Sequence, residues 1–144
     1  MGHIEEIQIA IETVKGLDHK IWLSLIMKDK DHILSGHHIN DVFMLADKNI
    51  DCLLLNCNTI AKTNETLEII KDNWINSWGV YPNLGLSEPE TDGEIEEKVQ
   101  ENEFNETIFK YLNMNPKIIG SCCGSSPKHI KIIKKMTNKI FLSD

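Results

Sequence analysis

The feature that most constrains this chain is an alternation of two hydrophobic periods. Short continuous apolar runs at residues 20–27, 51–57, 78–81 and 117–120 are separated by longer stretches whose apolar positions recur every three or four residues. A short unbroken apolar run predicts a strand buried on both faces, and a three-to-four-residue recurrence predicts an amphipathic helix. The helical stretches are residues 4–15, 40–48, 64–74, 103–112 and 128–139, which gives the order α-β-α-β-α-β-α-β-α. Ser126 and Pro127 mark the start of the last helix, as N-cap and first helical residue. Strands that alternate with helices are joined by right-handed crossovers into a parallel sheet. Two architectures remain, an open doubly wound sheet or part of a (β/α)8 barrel. Neither GxGxxG nor GxxxxGK[ST] follows any strand run, so the open nucleotide-binding sheet lacks its phosphate loop.

Charge narrows the partners. The chain has 15 Lys+Arg against 22 Asp+Glu, a formal net charge of -7, and every basic residue is lysine. That balance has no footprint for a polyanion, and nucleic acid is not an expected partner. The longest apolar run, residues 21–27, is too short to cross a bilayer, and no basic-then-apolar leader opens the chain. No membrane is expected, and a cytoplasmic location is. Residues 84–102 carry Glu88, Glu90, Asp92, Glu94, Glu96, Glu97 and Glu101 together with Pro89 and Gly93, the pattern of a long, solvated acidic loop.

Four cysteines occur, Cys52, Cys57, Cys122 and Cys123. Inside a cell disulfides are disfavoured, which directs a cysteine cluster toward metal binding or catalysis. Cys57 ends the second strand run and the Cys122-Cys123 pair follows the fourth, and parallel α/β folds build their sites at the C-terminal ends of strands. Three thiolates would hold a tetrahedral zinc with one position open, whereas the plain alternative is three buried cysteines. Cys52 lies a strand length away, about 16 Å at ~3.3 Å per residue, and is expected in the core. No CxxC is present to support a thioredoxin-like redox role for the Cys122-Cys123 pair. His32, His37 and His38 fall in the loop after the first strand and read as solvated, and His129 as a residue on the face of the last helix.

The residues around the cysteines carry more. Gly120-Ser121-Cys122-Cys123-Gly124-Ser125-Ser126-Pro127-Lys128-His129-Ile130 resembles the G-G-C-C-G-T-T-P-x-H-I signature of the homocysteine S-methyltransferase family. Asn56-Cys57 resembles that family's N-C element, and Val80-Tyr81-Pro82-Asn83-Leu84-Gly85 its V-Y-P-N-x-G element, all in the family's order and each at a strand end. The resemblance implies a (β/α)8 barrel in which Zn²⁺, held by Cys57, Cys122 and Cys123, activates the thiol of homocysteine to accept a methyl group and give methionine. No general base on the protein is then needed. Tyr81 and Asn83 would line the substrate pocket or, equally, only form a strand-end Tyr-Pro-Asn turn, and Gly120 and Gly124 would let the backbone bring two adjacent thiols to one ion. Ser121 replaces a motif glycine, a change that strains the chain only if this position needs a positive φ. The resemblance allows S-methylmethionine, S-adenosylmethionine, betaine or a methylfolate as methyl donor and favours the two sulfonium compounds.

A complete barrel of this type takes ~250 residues and eight strands. Residues 1–144 are therefore expected to form its C-terminal half, a partial barrel without the D-G-G-type element and the acidic residue that grip the amino acid in the family. Such a half is expected to be completed by a homodimer or a complementing half-barrel chain. The alternative is a catalytically inactive zinc-binding half-barrel or interaction module.

Overall fold

The computed structural model describes residues 1–87, 95 and 97–141. Its order is α1 (Ile4–Val14), β1 (Trp22–Leu25), α2 (Ile39–Ala46), β2 (Cys52–Asn56), α3 (Ile60–Asn73), β3 (Trp78–Tyr81), α4 (Glu101–Asn113), β4 (Ile118–Ile119) and α5 (Pro127–Phe141). The strands form one sheet in the order β1-β2-β3-β4, each paired parallel with its chain neighbour. The four expected strands and five expected helices are all present, and each strand is shorter than its apolar run except β3. Helix α3 starts four residues earlier than periodicity places it. Thr59 caps it through its hydroxyl, which accepts from the Lys62 amide at 3.3 Å.

The expectation that the strands are buried on both faces holds for β2, where Cys52, Leu53, Leu54 and Leu55 are all buried, and is corrected for β1, where Trp22 and Ser24 are not. Leu23, Leu25, Leu53, Leu55 and Val80 share one face and join the core built from helix residues such as Ile7, Val42, Leu67, Phe104 and Ile108. The other face carries Trp22 and Ser24 of β1, Cys52, Leu54 and Asn56 of β2, and Tyr81 of β3. Trp22 is 58% exposed on it, while Leu54 is shielded by its neighbours on the sheet. This sheet is thus clothed by its helices on one side and presents the opposite side, where a barrel interior would lie, largely uncovered.

The polar ends of the helices are settled by local bonds. The His38 ring caps α2 by accepting from the Asn40 amide at 3.1 Å. His129 does more than occupy a helix face. Its Nδ1 accepts from the Ser126 amide at 3.0 Å, and its ring meets Phe104 edge-on at 4.9 Å, which ties the start of α5 to α4. Of the acidic loop, Gly85 and Lys98 form an antiparallel bridge, and Val99 donates to Leu84 at 2.9 Å, closing its two ends together. Glu88, Pro89, Glu90, Asp92, Gly93, Glu94 and Glu96 lie outside the described residues.

Candidate metal centre

Cys57 is the first residue after β2, and its backbone is left-handed, with φ 56. A residue with a Cβ is strained there, and such a conformation persists only where surrounding bonds over-determine it. Those bonds come from β3 and the turn beyond it. The Cys57 amide donates to the carbonyl of Tyr81 at 3.1 Å, and its own carbonyl accepts from Asn83 Nδ2 at 2.8 Å. The effect is to end the strand and turn the thiol toward the segment that follows β4.

That segment is stitched to the same turn. Gly120 donates to Val80 at 2.9 Å, Cys122 donates to Pro82 at 2.8 Å, and the Cys123 carbonyl accepts from Leu84 at 2.9 Å. Gly124 then reverses the chain at φ 77, where a side chain would be strained, and the Ser125 hydroxyl closes the turn on the Cys122 carbonyl at 2.6 Å. Gly120 serves differently. Its φ is not positive, but a Cβ there would sit 3.3 Å from that of Tyr81. Ser121 does not take a positive φ either, so the strain that a serine would suffer there does not arise.

Three thiols converge as a result. Cys57 Sγ lies 3.3 Å from Cys123 Sγ, Cys122 Sγ lies 3.9 Å from Cys123 Sγ, and all three fall within 4.8 Å of one another. A tetrahedral zinc with Zn–S bonds of about 2.3 Å holds its sulfurs about 3.8 Å apart, so the present spacing fits that ion with small adjustments. Cys123 is exposed and the other two are half-buried, leaving one side of the triad open. Burial, reinforced by the neighbouring Cys122 and Cys123 thiols, pushes the Cys57 thiol up to about 12. Without a cation Cys57 is therefore held protonated, and a cation must displace that proton to bind there.

Cys52 stands apart at the start of β2, 2% exposed, with its thiol pushed up by burial. Tyr81 is half-buried on the uncovered face, and its hydroxyl is hydrogen-bonded to Ser24 Oγ across the intervening strand. Asn83 is fully buried, with Nδ2 on Cys57 and Oδ1 accepting from Gly85 at 3.0 Å. Asn58, which sequence reasoning missed, is its counterpart on the other side. Its Oδ1 accepts from Met27 at 2.7 Å, and its carbonyl accepts from Asn83 at 3.0 Å, linking the ends of β1, β2 and β3. A polar residue directly after an apolar strand run was the available signal. The expected solvated histidines are engaged locally: His32 contacts Asp29 at 3.0 Å and Asp31 at 2.8 Å, and His37 contacts Ser35 at 3.0 Å.

With the thiols placed at the ends of β2 and β4, comparison with known proteins becomes decisive. The sequence model of the homocysteine S-methyltransferase family matches residues 1–137. The chain belongs to this family. It is 26% identical to maize homocysteine S-methyltransferases 3 and 2 over 125 residues, which is 82% of this chain and 36% of each of theirs. Its fold matches the Escherichia coli homocysteine methyltransferase MmuM in its metallated form with a TM-score of 0.76 at 20% identity, over 94% of this chain and 42% of that one. The apo form of MmuM matches at 0.75, over 47% of its chain. This chain thus spans about a third of the curated relatives, and four parallel strands correspond to part of a family barrel.

Proposed function

We propose that this chain is the C-terminal half of a zinc-dependent homocysteine methyltransferase domain, with Cys57, Cys122 and Cys123 as metal ligands. The observation that carries the reading is the convergence of three thiols within 4.8 Å at the ends of β2 and β4, beside the uncovered face of the sheet. When bound, zinc supplies a Lewis-acid position at which a substrate thiol ionises at neutral pH.

The chain's own residues then have distinct tasks. Asn83 and the Tyr81 carbonyl hold Cys57 in its left-handed conformation and so aim its thiol. The Tyr81 ring is tethered to Ser24 on the sheet face, where it would form a wall of the substrate pocket. The open side of the triad leaves room for homocysteine sulfur, the nucleophile, to face a methyl group in line. A sulfonium donor, S-methylmethionine or S-adenosylmethionine, carries the positive charge that makes its methyl group transferable. Reduced thiols, as in a cytoplasmic setting, suit such a site.

Four strands leave edges at β1 and β4 and a sheet face without cover, so turnover requires the remaining strands of the barrel to complete them. That uncovered face also favours a second reading, a zinc-binding half-barrel without catalysis. Methionine production by the zinc-loaded chain from homocysteine and each sulfonium donor, run with a solution mass, separates them. Turnover by an assembly larger than one chain supports the enzyme, and zinc at one per chain without turnover supports the binding module.

A further inference from the structure

The pairing of β1 with β2 ends at Leu25 and Leu55, because β2 turns away at Cys57 with its φ of 56. Beyond that point the Ile26 amide donates to the Met1 carbonyl at 3.0 Å. The Leu25 carbonyl and the Met27 amide flank Ile26 on the opposite side of β1, and in a parallel ladder one residue of the neighbouring strand takes such a pair with its own amide and carbonyl. Here the side chain of Asn58 takes both. Its Nδ2 donates to the Leu25 carbonyl at 3.3 Å, and its Oδ1 accepts from the Met27 amide at 2.7 Å. A carboxamide carries the same donor and acceptor as a peptide group, so Asn58 stands in for the main chain of β2 on β1 after that strand has left.

The main chain of the same residue is held from the other side. The Asn58 carbonyl accepts from the Asn83 amide at 3.0 Å and from the Thr63 hydroxyl at 3.4 Å. Asn58 is 1% exposed, so water cannot replace any of these partners, and a buried group left without one is destabilising. Cys57 is thus bracketed by Asn83, which holds its carbonyl, and by Asn58, which ties the residue after it to β1. Resting on the metal-ligand reading above, we propose that Asn58 is a positioning residue of the metal centre. Its side-chain amide keeps β1 paired while Cys57 leaves the strand in a left-handed turn, and so fixes the direction in which the Cys57 thiol points, toward that of Cys123 at 3.3 Å. Asn58 brings into the centre a strand, β1, that supplies no ligand of its own.

The test loads the full chain with cobalt(II) in place of zinc, because cobalt accepts the same ligands and reports each bound thiolate through its charge-transfer absorption. The native chain should show three thiolates. Asn58→Ala should lose the Cys57 share of that absorption and bind the metal about tenfold or more weakly, the scale on which groups behind the ligands act. Thr66→Val is the control. It removes the hydrogen bond from the Thr66 hydroxyl to the Lys30 carbonyl at 2.9 Å, another tie from α3 to the segment after β1, without touching the Cys57 turn. That variant should unfold at lower urea yet keep the native absorption and affinity. Asn58→Asp retains the acceptor for Met27 but, ionised, has no N–H for Leu25. It should also bind the metal more weakly, and it decides the outcome if the alanine variant does not fold. Three-thiolate absorption with native affinity in a folded Asn58 variant, or an equal loss in Thr66→Val, would overturn the assignment in favour of a purely structural role. Fewer than three thiolates in the native chain would sink the metal-ligand reading and the assignment with it.

Discussion

Asn83 Nδ2 donates to the carbonyl of Cys57 at 2.8 Å and so holds in a left-handed conformation the residue whose thiol lies 3.3 Å from that of Cys123. A buried side chain on β3's trailing turn therefore sets the aim of a thiol at the end of β2. Asn83→Ala should leave that carbonyl unsatisfied and release Cys57 from its strained backbone. The expected outcome is a loss of about 1–3 kcal/mol of stability together with weaker zinc binding. Denaturant unfolding and competition with a chromophoric chelator measure the two effects, and normal zinc affinity in a destabilised variant would separate them.

The ligand set makes a sharper prediction. Cys57→Ala, Cys122→Ala and Cys123→Ala should each abolish zinc at one per chain after dialysis, as measured by elemental analysis. Cys52→Ala should retain it, because Cys52 lies at the opposite end of β2 from Cys57. Stoichiometric zinc in the Cys57 variant would exclude the three-thiol site.

The pH dependence follows from the Cys57 thiol. Its pKa in the folded, metal-free chain is raised from an ordinary 9.0 to about 12, with burial as the main cause. Between those values the folded state binds more protons than the unfolded one, so this contribution to stability is fully present below pH 9 and lost as pH climbs toward 12. Zinc must displace that proton, so its apparent affinity should rise with pH. Urea titrations of metal-free and zinc-loaded chains from pH 7 to 10 should show the alkaline loss in the metal-free form.

Tyr111 on α4 is fully buried, yet its hydroxyl has no partner among the described residues. Burial pushes that phenol's pKa up. Tyr111→Phe removes the unsatisfied group while keeping the ring, and should stabilise the chain by about 1 kcal/mol. A lower urea midpoint in that variant would mean that the hydroxyl is bonded.

Much of this arrangement was legible beforehand, and for physical reasons. The two hydrophobic periods located every strand and helix because burial demands them, and the residues flanking Cys57 and Cys122-Cys123 carried the family. The start of α3 was hidden because Lys62 and Asn64 dilute the periodicity of its first turn, although Thr59 was available as a cap. The uncovered face was also within reach, since Trp22-Leu23-Ser24-Leu25 alternates and a strand buried on both faces should not carry Ser24. Three features had no such signal. A left-handed cysteine, an asparagine holding it, and a hydroxyl bond from Tyr81 to Ser24 across a strand all arise from contacts between segments, and no local pattern encodes them.

The most direct test of the central claim is X-ray absorption at the zinc edge of the loaded chain, before and after homocysteine is added. Three sulfur neighbours at about 2.3 Å are expected in the chain alone, with a fourth appearing on addition of homocysteine. Two or fewer sulfurs in the chain alone, or a count unchanged by homocysteine, would contradict the account.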